Sequence, residues 1–346
     1  MEIDKVGIDL GKSVFHLACL SASGETVMRK KFSRLQLLRF TANLRVRVIG
    51  MEACGGAHFL GRALREQGHD VRLMPAQYVK PFVKTNKNDY IDAEAIAEAV
   101  DRPRMRYVPI KSEDQLDMQS LHRVRERWVK SRTALTNQIR GLLLERGITI
   151  RKGRRYAQAA LPSLLEDAET NLSAALRLLL AQLMSELQRL ENQITDVDAT
   201  IARRASEHEA CQRLMAIPGV GPVTSTAIVS AIGNGVEFRK ARSFSAWLGL
   251  VPGEYSTGGK QKLLGISKRG NGYLRKLLVH GARAILRCRE KQSPGLSSWL
   301  GQLLARAHPN VVTIALANKM ARMAWVLLTR GESYRPPVLE QQIKVV

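Results

Sequence analysis

The first 110 residues alternate short β-rich runs with two helical runs. VGIDLGKSVFHLACL and ETVMRKKF, separated by the turn signal SASG, predict the strands of a hairpin. RVRVIGMEA and DVRLMPA predict further strands, AHFLGRALREQG predicts a helix that ends at Gly68, and NDYIDAEAIAEAV predicts a second helix. The resulting order, β-β-β-α-β-α, predicts an α/β domain with a mixed sheet covered by helices.

The apolar pattern changes to helical spacing after Ser112. Apolar residues recur three, four or seven positions apart between Leu121 and Leu142, which predicts one long amphipathic helix that ends at Gly147. A second long helix is predicted after Pro162, with a heptad-like seam formed by Leu172, Leu176, Leu179, Leu183, Leu187, Leu190, Ile194 and Val197. This seam packs either within the monomer or against a second copy. Because it would expose leucines over about seven turns, we expect a homo-oligomer, either a dimer or a tetramer.

The remaining residues predict a mainly α-helical domain. RLMAIPGVGPVTSTAIVSAIG predicts two apolar helices joined by a glycine turn, as in a helix-hairpin-helix element, where backbone amides approach a phosphate. A turn that serves packing alone is the alternative. A glycine-rich basic loop containing EYSTGGKQK follows, and HPNVVTIALANKMARMAWVLLTRG predicts a closing helix. We therefore divide the chain into domains at 1–110, 111–210 and 211–335, with a tail at 336–346.

The charge of the chain points to a polyanionic partner. Lys and Arg number 54 against 31 Asp and Glu, a net charge of +23, and residues 211–346 alone hold 20 basic and 5 acidic side chains. A solvated helix face explains a local basic run, but not an excess of this size. Candidate contacts to nucleic-acid phosphates are Arg123, Arg127, Lys130, Arg154, Arg155, Lys260, Lys262, Lys268, Arg269, Arg275 and Lys276.

Other compositional features indicate a cytoplasmic protein with no membrane partner. No stretch approaches the roughly 18 to 20 uncharged apolar residues of a membrane span. The start, MEIDKVGIDL, lacks the basic-then-apolar pattern of a signal peptide. The four cysteines are far apart and form no CxxC pair, so we expect ordinary thiols rather than disulfides or a zinc site.

Four carboxylates are candidates for metal binding. Asp9 and Glu52 lie in strands that otherwise appear buried in the pattern, where a charge is costly unless it is paired or bound to a cation. Asp89 and Asp92 are three residues apart at the start of a helix and share one face; helix capping is the alternative. Convergence of all four at the ends of neighbouring strands would suit two Mg²⁺ ions acting on a phosphodiester.

Two further motifs bear on chemistry. Ser256 lies in EYSTGGKQK, where Gly258 and Gly259 permit close backbone approach, so a phosphate could lie beside its hydroxyl; a plain turn residue is the alternative. GIDLGKS also resembles the first phosphate loop of sugar kinases of the actin-like superfamily. Such kinases need a second Asp-x-Gly loop and a nucleotide pocket, neither of which is visible in the sequence after residue 110.

Taken together, these motifs resemble those of the DEDD transposases of insertion sequences, the IS110 family and more closely its IS1111 group. The resemblance rests on GIDLGK, GMEACGG, KNDYIDAEAIAEA, IPGVGPVTSTAI, WLGLVPGEYSTGGKQKLLGISKRGNGYLRKLLVHGARA and NKMARMAWVLL, in that order. It implies a RuvC-like, ribonuclease H-fold N-terminal domain, a coiled-coil linker and a C-terminal transposase domain. By this resemblance Asp9, Glu52, Asp89 and Asp92 match the metal-binding acidic positions, and Ser256 matches the serine that attacks DNA.

One departure from the family pattern concerns the serine. Many members of the group have two serines before the glycine pair, whereas this chain has Ser256 followed by Thr257, so a shift of one residue would make Thr257 the nucleophile. The family also implies an element-encoded noncoding RNA that pairs with donor and target DNA. We thus expect a recombinase that forms a covalent phosphoserine. The alternatives are a metal-dependent junction nuclease without that intermediate, and a basic binding protein with a decayed site.

Overall fold

The computed structural model describes residues 2–84 and 88–337, in two compact units, Met1–Glu113 and Asp114–Val346. The predicted segments 111–210 and 211–335 fall almost entirely in the second unit, so the three-part division stays a prediction. Of the predicted tail, residues 338–346 lie outside the described residues.

The first unit is built on a five-stranded mixed sheet. Its strands are β1 (Lys5–Leu10), β2 (Val14–Leu20), β3 (Thr26–Ser33), β4 (Val48–Glu52) and β5 (Val71–Met74). Their order across the sheet is β3-β2-β1-β4-β5, with the first three antiparallel and β4 and β5 parallel to β1. The helices are α1 (Arg34–Ala42), α2 (Ala57–Glu66), α3 (Ala76–Val79) and α4 (Asp89–Ala99).

The predicted α/β class and the β2–β3 hairpin at SASG are confirmed, but two local predictions were wrong. VGIDLGKSVFHLACL was taken as one strand, whereas the chain reverses after Leu10 and forms two, with the Gly11 amide donating to the Val14 carbonyl at 3.1 Å. Helix α1 was missed because it buries only Leu37 and Thr41, too few positions to give a periodic pattern.

Helix α4 lies directly on strand β1 because Gly7 has no side chain. A Cβ atom at this position would lie 2.0 Å from the Ala93 carbonyl oxygen and 2.4 Å from the Ala97 nitrogen, distances that no real side chain tolerates. Ala93 and Ala97 are themselves fully buried. This backbone contact fixes the start of α4 close to the end of β1, where the predicted acidic residues lie.

The second unit is mainly helical, as predicted. Its elements are α5 (Glu113–Leu144), α6 (Arg154–Glu166), α7 (Ala174–Glu207), α8 (Glu209–Met215), α9 (Pro222–Ile232), α10 (Ala241–Trp247), β6 (Pro252–Glu254), β7 (Leu263–Ile266), α11 (Gly272–Arg287), α12 (Pro294–Leu304) and α13 (Pro309–Arg330). The long helix predicted to end at Gly147 is confirmed as α5. The glycine-rich basic loop is instead an antiparallel hairpin, since β6 pairs with β7.

The leucine seam is used mostly within the chain. Pro162 lies inside α6 rather than before one long helix, and α7 begins after Ser173, whose side chain accepts a hydrogen bond from the Leu176 amide. Most seam residues are buried in one cluster with the apolar residues of α5 and α6, although Leu179 is 52% exposed. The expectation that the seam exposes a leucine stripe was therefore wrong, because periodicity alone does not say which surface covers an apolar face.

The glycine turn between α8 and α9 packs against α11. Gly219 has a φ of +77°, and a Cβ atom there would lie 2.8 Å from the Gly281 carbonyl oxygen. The reverse contact is closer, since a Cβ at Gly281 would lie 2.2 Å from the Gly219 carbonyl oxygen. The two apolar helices joined by a glycine turn are present as α8 and α9. Packing alone explains why position 219 is glycine, and a phosphate contact at this helix-hairpin-helix turn stays a prediction.

Buried His122 joins three helices of the second unit. Its ring nitrogens lie 3.0 Å from the Tyr273 hydroxyl on α11 and 3.0 Å from the Thr226 hydroxyl on α9. Burial, with a smaller contribution from nearby Arg125, lowers the pKa of His122 to about 4. The neutral ring therefore links α5 to α9 and α11 through hydrogen bonds.

Among the described helices, α13 alone is long and apolar enough to cross a membrane by length and composition. Half of its most apolar stretch is buried within the chain, and Val312, Leu316 and Met320 belong to the C-terminal core. The apolar surface of α13 thus has a packing role in this fold.

Candidate active site

Asp9 and Glu52 lie at the carboxyl ends of adjacent parallel strands. Ile8 of β1 is paired with Met51 of β4, so the next residue of each strand is Asp9 and Glu52. The pKa of the Cys54 thiol responds to the charges of both carboxylates. Burial, then the negative charge of Glu52, then that of Asp9, raise the pKa of Cys54 above its ordinary value. The structure therefore brings these two predicted residues to one edge of the sheet.

Asp89 and Asp92 lie in the first turn of α4, as predicted. Neither is the capping residue, since the Asn88 side chain accepts the Tyr90 amide hydrogen at 2.9 Å. A carboxylate oxygen of Asp89 lies 3.5 Å from Nδ1 of His16. His16 is in turn the cross-strand partner of Asp9. This histidine, which no sequence motif singles out, therefore neighbours two of the four acidic positions.

The donor set of these four positions suits a hard cation, because carboxylate oxygens are the ligands that Mg²⁺ prefers. Within residues 2–84 and 88–337, however, no group of three or more His, Cys, Asp or Glu side chains is placed closely enough to hold a metal ion. The four carboxylates thus belong to the same unit, but their side chains are not close enough together to coordinate one metal ion. The predicted two-ion site stays a prediction.

Cys54 provides a built-in test of this arrangement. Replacing Glu52 by Gln removes a negative charge beside the thiol, so the pKa of Cys54 should fall towards its ordinary value and the thiolate fraction at pH 8 should rise. We expect alkylation of Cys54 by iodoacetamide to accelerate by about two- to fivefold. Cys288, exposed in the second unit, is the internal control. An unchanged Cys54 rate would contradict the closeness of thiol and carboxylate.

Ser256 lies near the tip of the hairpin formed by β6 and β7. Gly258 and Gly259 make the turn with φ values of +56° and +76°, as a two-residue hairpin turn with both central residues in the left-handed region requires. The Ser256 hydroxyl donates to Oε1 of Glu254 at 2.6 Å and accepts the Lys262 amide hydrogen at 3.2 Å. The side chain is exposed but held in one orientation.

The hairpin also separates Ser256 from its neighbour Thr257. The Tyr255 amide donates to the Lys262 carbonyl, and Thr257 pairs with Lys260. The two arms of the hairpin therefore stay paired up to the turn. Because successive side chains of a strand point to opposite faces, Ser256 and Thr257 lie on different faces of the hairpin. Glu254 shares the face of Ser256. The i, i+2 spacing of E-Y-S is the sequence signal for this pair, which was not predicted.

The predicted phosphate contacts differ in whether their side chains already make ion pairs or ring contacts within the protein. Six are exposed and make no ion pair within the described residues: Arg123, Arg127, Lys260, Lys262, Lys268 and Arg269. Lys130 and Lys276 both pair with Glu126, at 3.4 and 2.9 Å. Arg154 pairs with Glu191 at 2.7 Å. Arg155 lies over the Tyr156 ring, 4.6 Å from its centroid.

Arg275 has a structural role at the base of the hairpin. Its Nη1 donates to the Leu248 carbonyl at 2.8 Å and to the Arg269 carbonyl at 3.0 Å. These bonds tie the segments before β6 and after β7 to helix α11. Arg275 is thus engaged with the backbone, whereas Lys268 and Arg269 on the same segment keep their charges exposed.

Two family models match different parts of the chain. A model of the IS116/IS110/IS902 transposase family matches residues 211–295. A second transposase model, of the DEDD type named for IS110, matches residues 6–147. The DEDD match implies a ribonuclease H-like fold, with which the mixed five-stranded sheet is consistent. These two matches identify the chain, with its mixed α/β unit and its basic helical unit, as a transposase.

Similar proteins agree over nearly their full length. The chain is 47% identical to a Pseudomonas aeruginosa protein named "Probable family 20 transposase", over 97% of this chain and 100% of that protein. It is 45% identical to the transposase of insertion sequence element IS1328 from Yersinia enterocolitica, over 94% of this chain and 97% of that protein. It is 42% identical to the IS1111A transposase from Coxiella burnetii, over 96% and 92%. The chain belongs to the IS110 family of insertion-sequence transposases, which are enzymes that cut DNA.

Proposed function

We propose that this transposase cuts and rejoins DNA through a covalent phosphoserine at Ser256. The observation that carries the proposal is the state of the serine side chain: exposed at a hairpin tip, yet oriented by hydrogen bonds from and to two partners. Lys260 and Lys262 are exposed cations of the same hairpin and, as cross-strand neighbours of Thr257 and Tyr255, lie on its other face. Thr257 faces away from the Glu254 carboxylate, which favours Ser256 as the nucleophile.

The proposal assigns metal binding to Asp9, Glu52, Asp89 and Asp92. Their oxygen donors fit Mg²⁺, which when bound would neutralise charge on the phosphodiester and stabilise the oxygens that attack and leave. Asp9 and Glu52 lie at the ends of neighbouring strands, and His16 lies against Asp89. Asn88 caps α4 and so leaves the carboxylates of Asp89 and Asp92 for other partners.

We further propose that the basic residues bind donor and target DNA together with an element-encoded noncoding RNA. Support for nucleic-acid binding is the net charge of +23 and the six exposed cations without an ion pair. The RNA rests on the family resemblance. A purified complex that recombines DNA equally well after ribonuclease treatment would exclude it.

A homo-oligomer, dimer or tetramer, belongs to the same proposal, as does a cytoplasmic, nucleoid-associated location. Within the leucine seam, half-exposed residues such as Leu179 are the ones that could contact a second copy. Light scattering that reports a monomer at every concentration, with and without nucleic acid, would exclude the oligomer.

Affinity for nucleic acid should fall steeply with salt, because contacts from residues 123–155 and 260–276 go mainly to phosphates. Replacing Arg123 and Arg127 together by Gln should lower the slope of log affinity against log salt by about two. Arg204→Gln is the matched control, since Arg204 already pairs with Asp114 at 2.9 Å. Fluorescence anisotropy across a salt series gives the slope. A wild-type slope near zero would contradict phosphate binding by these residues.

The proposed function is tested by trapping the intermediate. Wild-type protein incubated with Mg²⁺, cognate DNA and the element RNA should give a protein–DNA species that survives denaturing electrophoresis, because a phosphodiester to serine persists when the fold is lost. Peptide mapping should place the DNA on Ser256. Efficient strand cleavage with no such species would instead support a nuclease that uses water as its nucleophile.

A further inference from the structure

Glu254 and Ser256 form a hydrogen-bonded pair on one face of the β6–β7 hairpin. The distance of 2.6 Å between Ser256 Oγ and Glu254 Oε1 is in the short range of bonds to an ionised acceptor. Gln261, on the opposite strand, donates its amide hydrogen to the same carboxylate oxygen at 3.4 Å. The carboxylate is therefore oriented by the hairpin itself.

We propose that Glu254 is the general base that takes the proton of Ser256 when the serine attacks the DNA phosphate. The inference rests on the proposed function, since it requires Ser256 to be the nucleophile. A general base must lie within about 2.6 to 3.2 Å of the atom it deprotonates, and Glu254 meets this condition before any substrate is bound.

The hydrogen bonds of the serine leave one lone pair for the reaction. A hydroxyl has one hydrogen to donate and two lone pairs that accept. The hydrogen is directed at Glu254, and one lone pair accepts the Lys262 amide hydrogen at 3.2 Å. The second lone pair is free to attack phosphorus. Loss of the proton to Glu254 therefore breaks no other contact of the serine.

Glu254 forms no ion pair in the part of the chain that the structure describes. Throughout residues 2–84 and 88–337, Glu254 has no Lys, Arg or His partner within 4 Å, and its hydrogen-bond donors are the neutral side chains of Ser256 and Gln261. Carboxylates elsewhere in the second unit, such as Glu126 and Glu191, are each shared by two cations. Among the described residues, Oε1 of Glu254 is thus shared only by the Ser256 hydroxyl and the Gln261 side-chain amide.

The step balances with these residues, DNA and water. A lone pair of Ser256 Oγ forms the bond to phosphorus while the phosphorus–oxygen bond to the leaving strand breaks, and the departing oxygen takes a proton from water. The water that gave this proton becomes hydroxide. The serine proton passes to Oε1 of Glu254. In the rejoining step, the oxygen of a DNA hydroxyl attacks phosphorus and its proton passes to hydroxide, which restores the water; the displaced Ser256 Oγ regains its proton from Glu254. One phosphoester is exchanged for another in each step, so no further reactant is needed.

The test is the single-turnover rate of adduct formation with Mg²⁺, cognate DNA and the element RNA. Glu254→Gln keeps the hydrogen-bond acceptor but removes its basicity, and should lower the rate by about 10²- to 10⁴-fold while the Kd for DNA stays unchanged. Glu254→Asp should recover at least about tenfold over Glu254→Gln, since it restores a carboxylate. Glu237→Gln, at an exposed carboxylate of the same unit, is the matched control and should react at the wild-type rate.

A change of nucleophile separates proton transfer from positioning. A thiol has a pKa near 8.5 and needs no base at pH 9. In a Ser256→Cys background, Glu254→Gln should therefore cost less than about tenfold at this pH. An equal loss in the serine and cysteine backgrounds would overturn the inference, because it would show that Glu254 only positions the side chain.

The outcomes also separate this inference from the proposed function. A wild-type chain that forms no adduct at Ser256 would defeat the proposed function itself. An adduct at Ser256 that forms at the wild-type rate in Glu254→Gln would overturn the role of Glu254 alone. If the Ser256→Cys chain forms no adduct, the Glu254→Asp rate decides: recovery supports proton transfer, and a rate equal to that of Glu254→Gln overturns it.

Discussion

Ser256→Ala should eliminate the covalent protein–DNA species while DNA, RNA and Mg²⁺ still bind. The change removes one exposed hydroxyl and its hydrogen bonds to Glu254 and Lys262, and leaves every carboxylate and cation in place. Because the residue is exposed, the free energy of unfolding should change by less than about 0.5 kcal/mol. The loss of adduct should be complete, since the neighbouring hydroxyl, that of Thr257, lies on the other face of the hairpin.

Denaturing electrophoresis of labelled DNA measures this effect, with gel-shift binding of the same DNA as the control for folding. Thr257→Ala is the matched variant, because it removes a neighbouring hydroxyl on the other face of the hairpin, and it should retain the adduct. An adduct that persists in Ser256→Ala and disappears in Thr257→Ala would show that the nucleophile is one residue further along.

Asp92→Asn should abolish strand cleavage at an earlier stage, before any adduct forms. Asp92 lies in the first turn of α4, half-buried, on the face it shares with Asp89. Asn keeps the size of the side chain but removes one negative charge, which weakens binding of a hard divalent cation. We expect cleavage to fall by at least about a hundredfold, with the fold and the binding of nucleic acid retained.

Glu94→Gln is the control on the same helix, since Glu94 bonds to Arg29 at 2.6 Å and to Thr26 at 3.0 Å rather than belonging to the predicted metal site. Isothermal titration with Mg²⁺ and a cleavage assay on labelled DNA should show loss only for Asp92→Asn. Equal loss in both variants would attribute the effect to destabilisation of α4. Unchanged metal affinity in Asp92→Asn would contradict its assignment as a ligand.

Asp9, Glu52 and Ser256 were selected as candidates because each is an unusual residue for its sequence context, and their roles stay predictions. Asp9 and Glu52 are charges within apolar strands, and Ser256 precedes a glycine pair in a basic segment. The bond between Ser256 and Glu254 was not predicted, because it depends on strand pairing across a turn that was taken as a loop. His16 was missed for the same reason, since its position beside Asp9 follows from the register of two strands.

The fold was predicted where periodic patterns are long, as in α5 and α13. Short or weakly apolar elements such as α1 and α12 were not predicted, because a few buried residues do not establish a period. The burial of the leucine seam could not be decided from periodicity, since an apolar face looks the same whether α5, α6 or another chain covers it. Only the positions of the surrounding helices settle this point.

An exposed serine at a hairpin tip has a consequence for the host genome. In bulk water its hydroxyl has no dry enclosure that would strengthen electrostatic interactions or exclude competing water. The free protein should therefore be inert towards serine-directed reagents such as fluorophosphonates, and towards DNA met at random. If Ser256 is the nucleophile proposed above, it would react only when bound nucleic acid encloses the hairpin, and the transposase would make few stray chromosome breaks between transposition events.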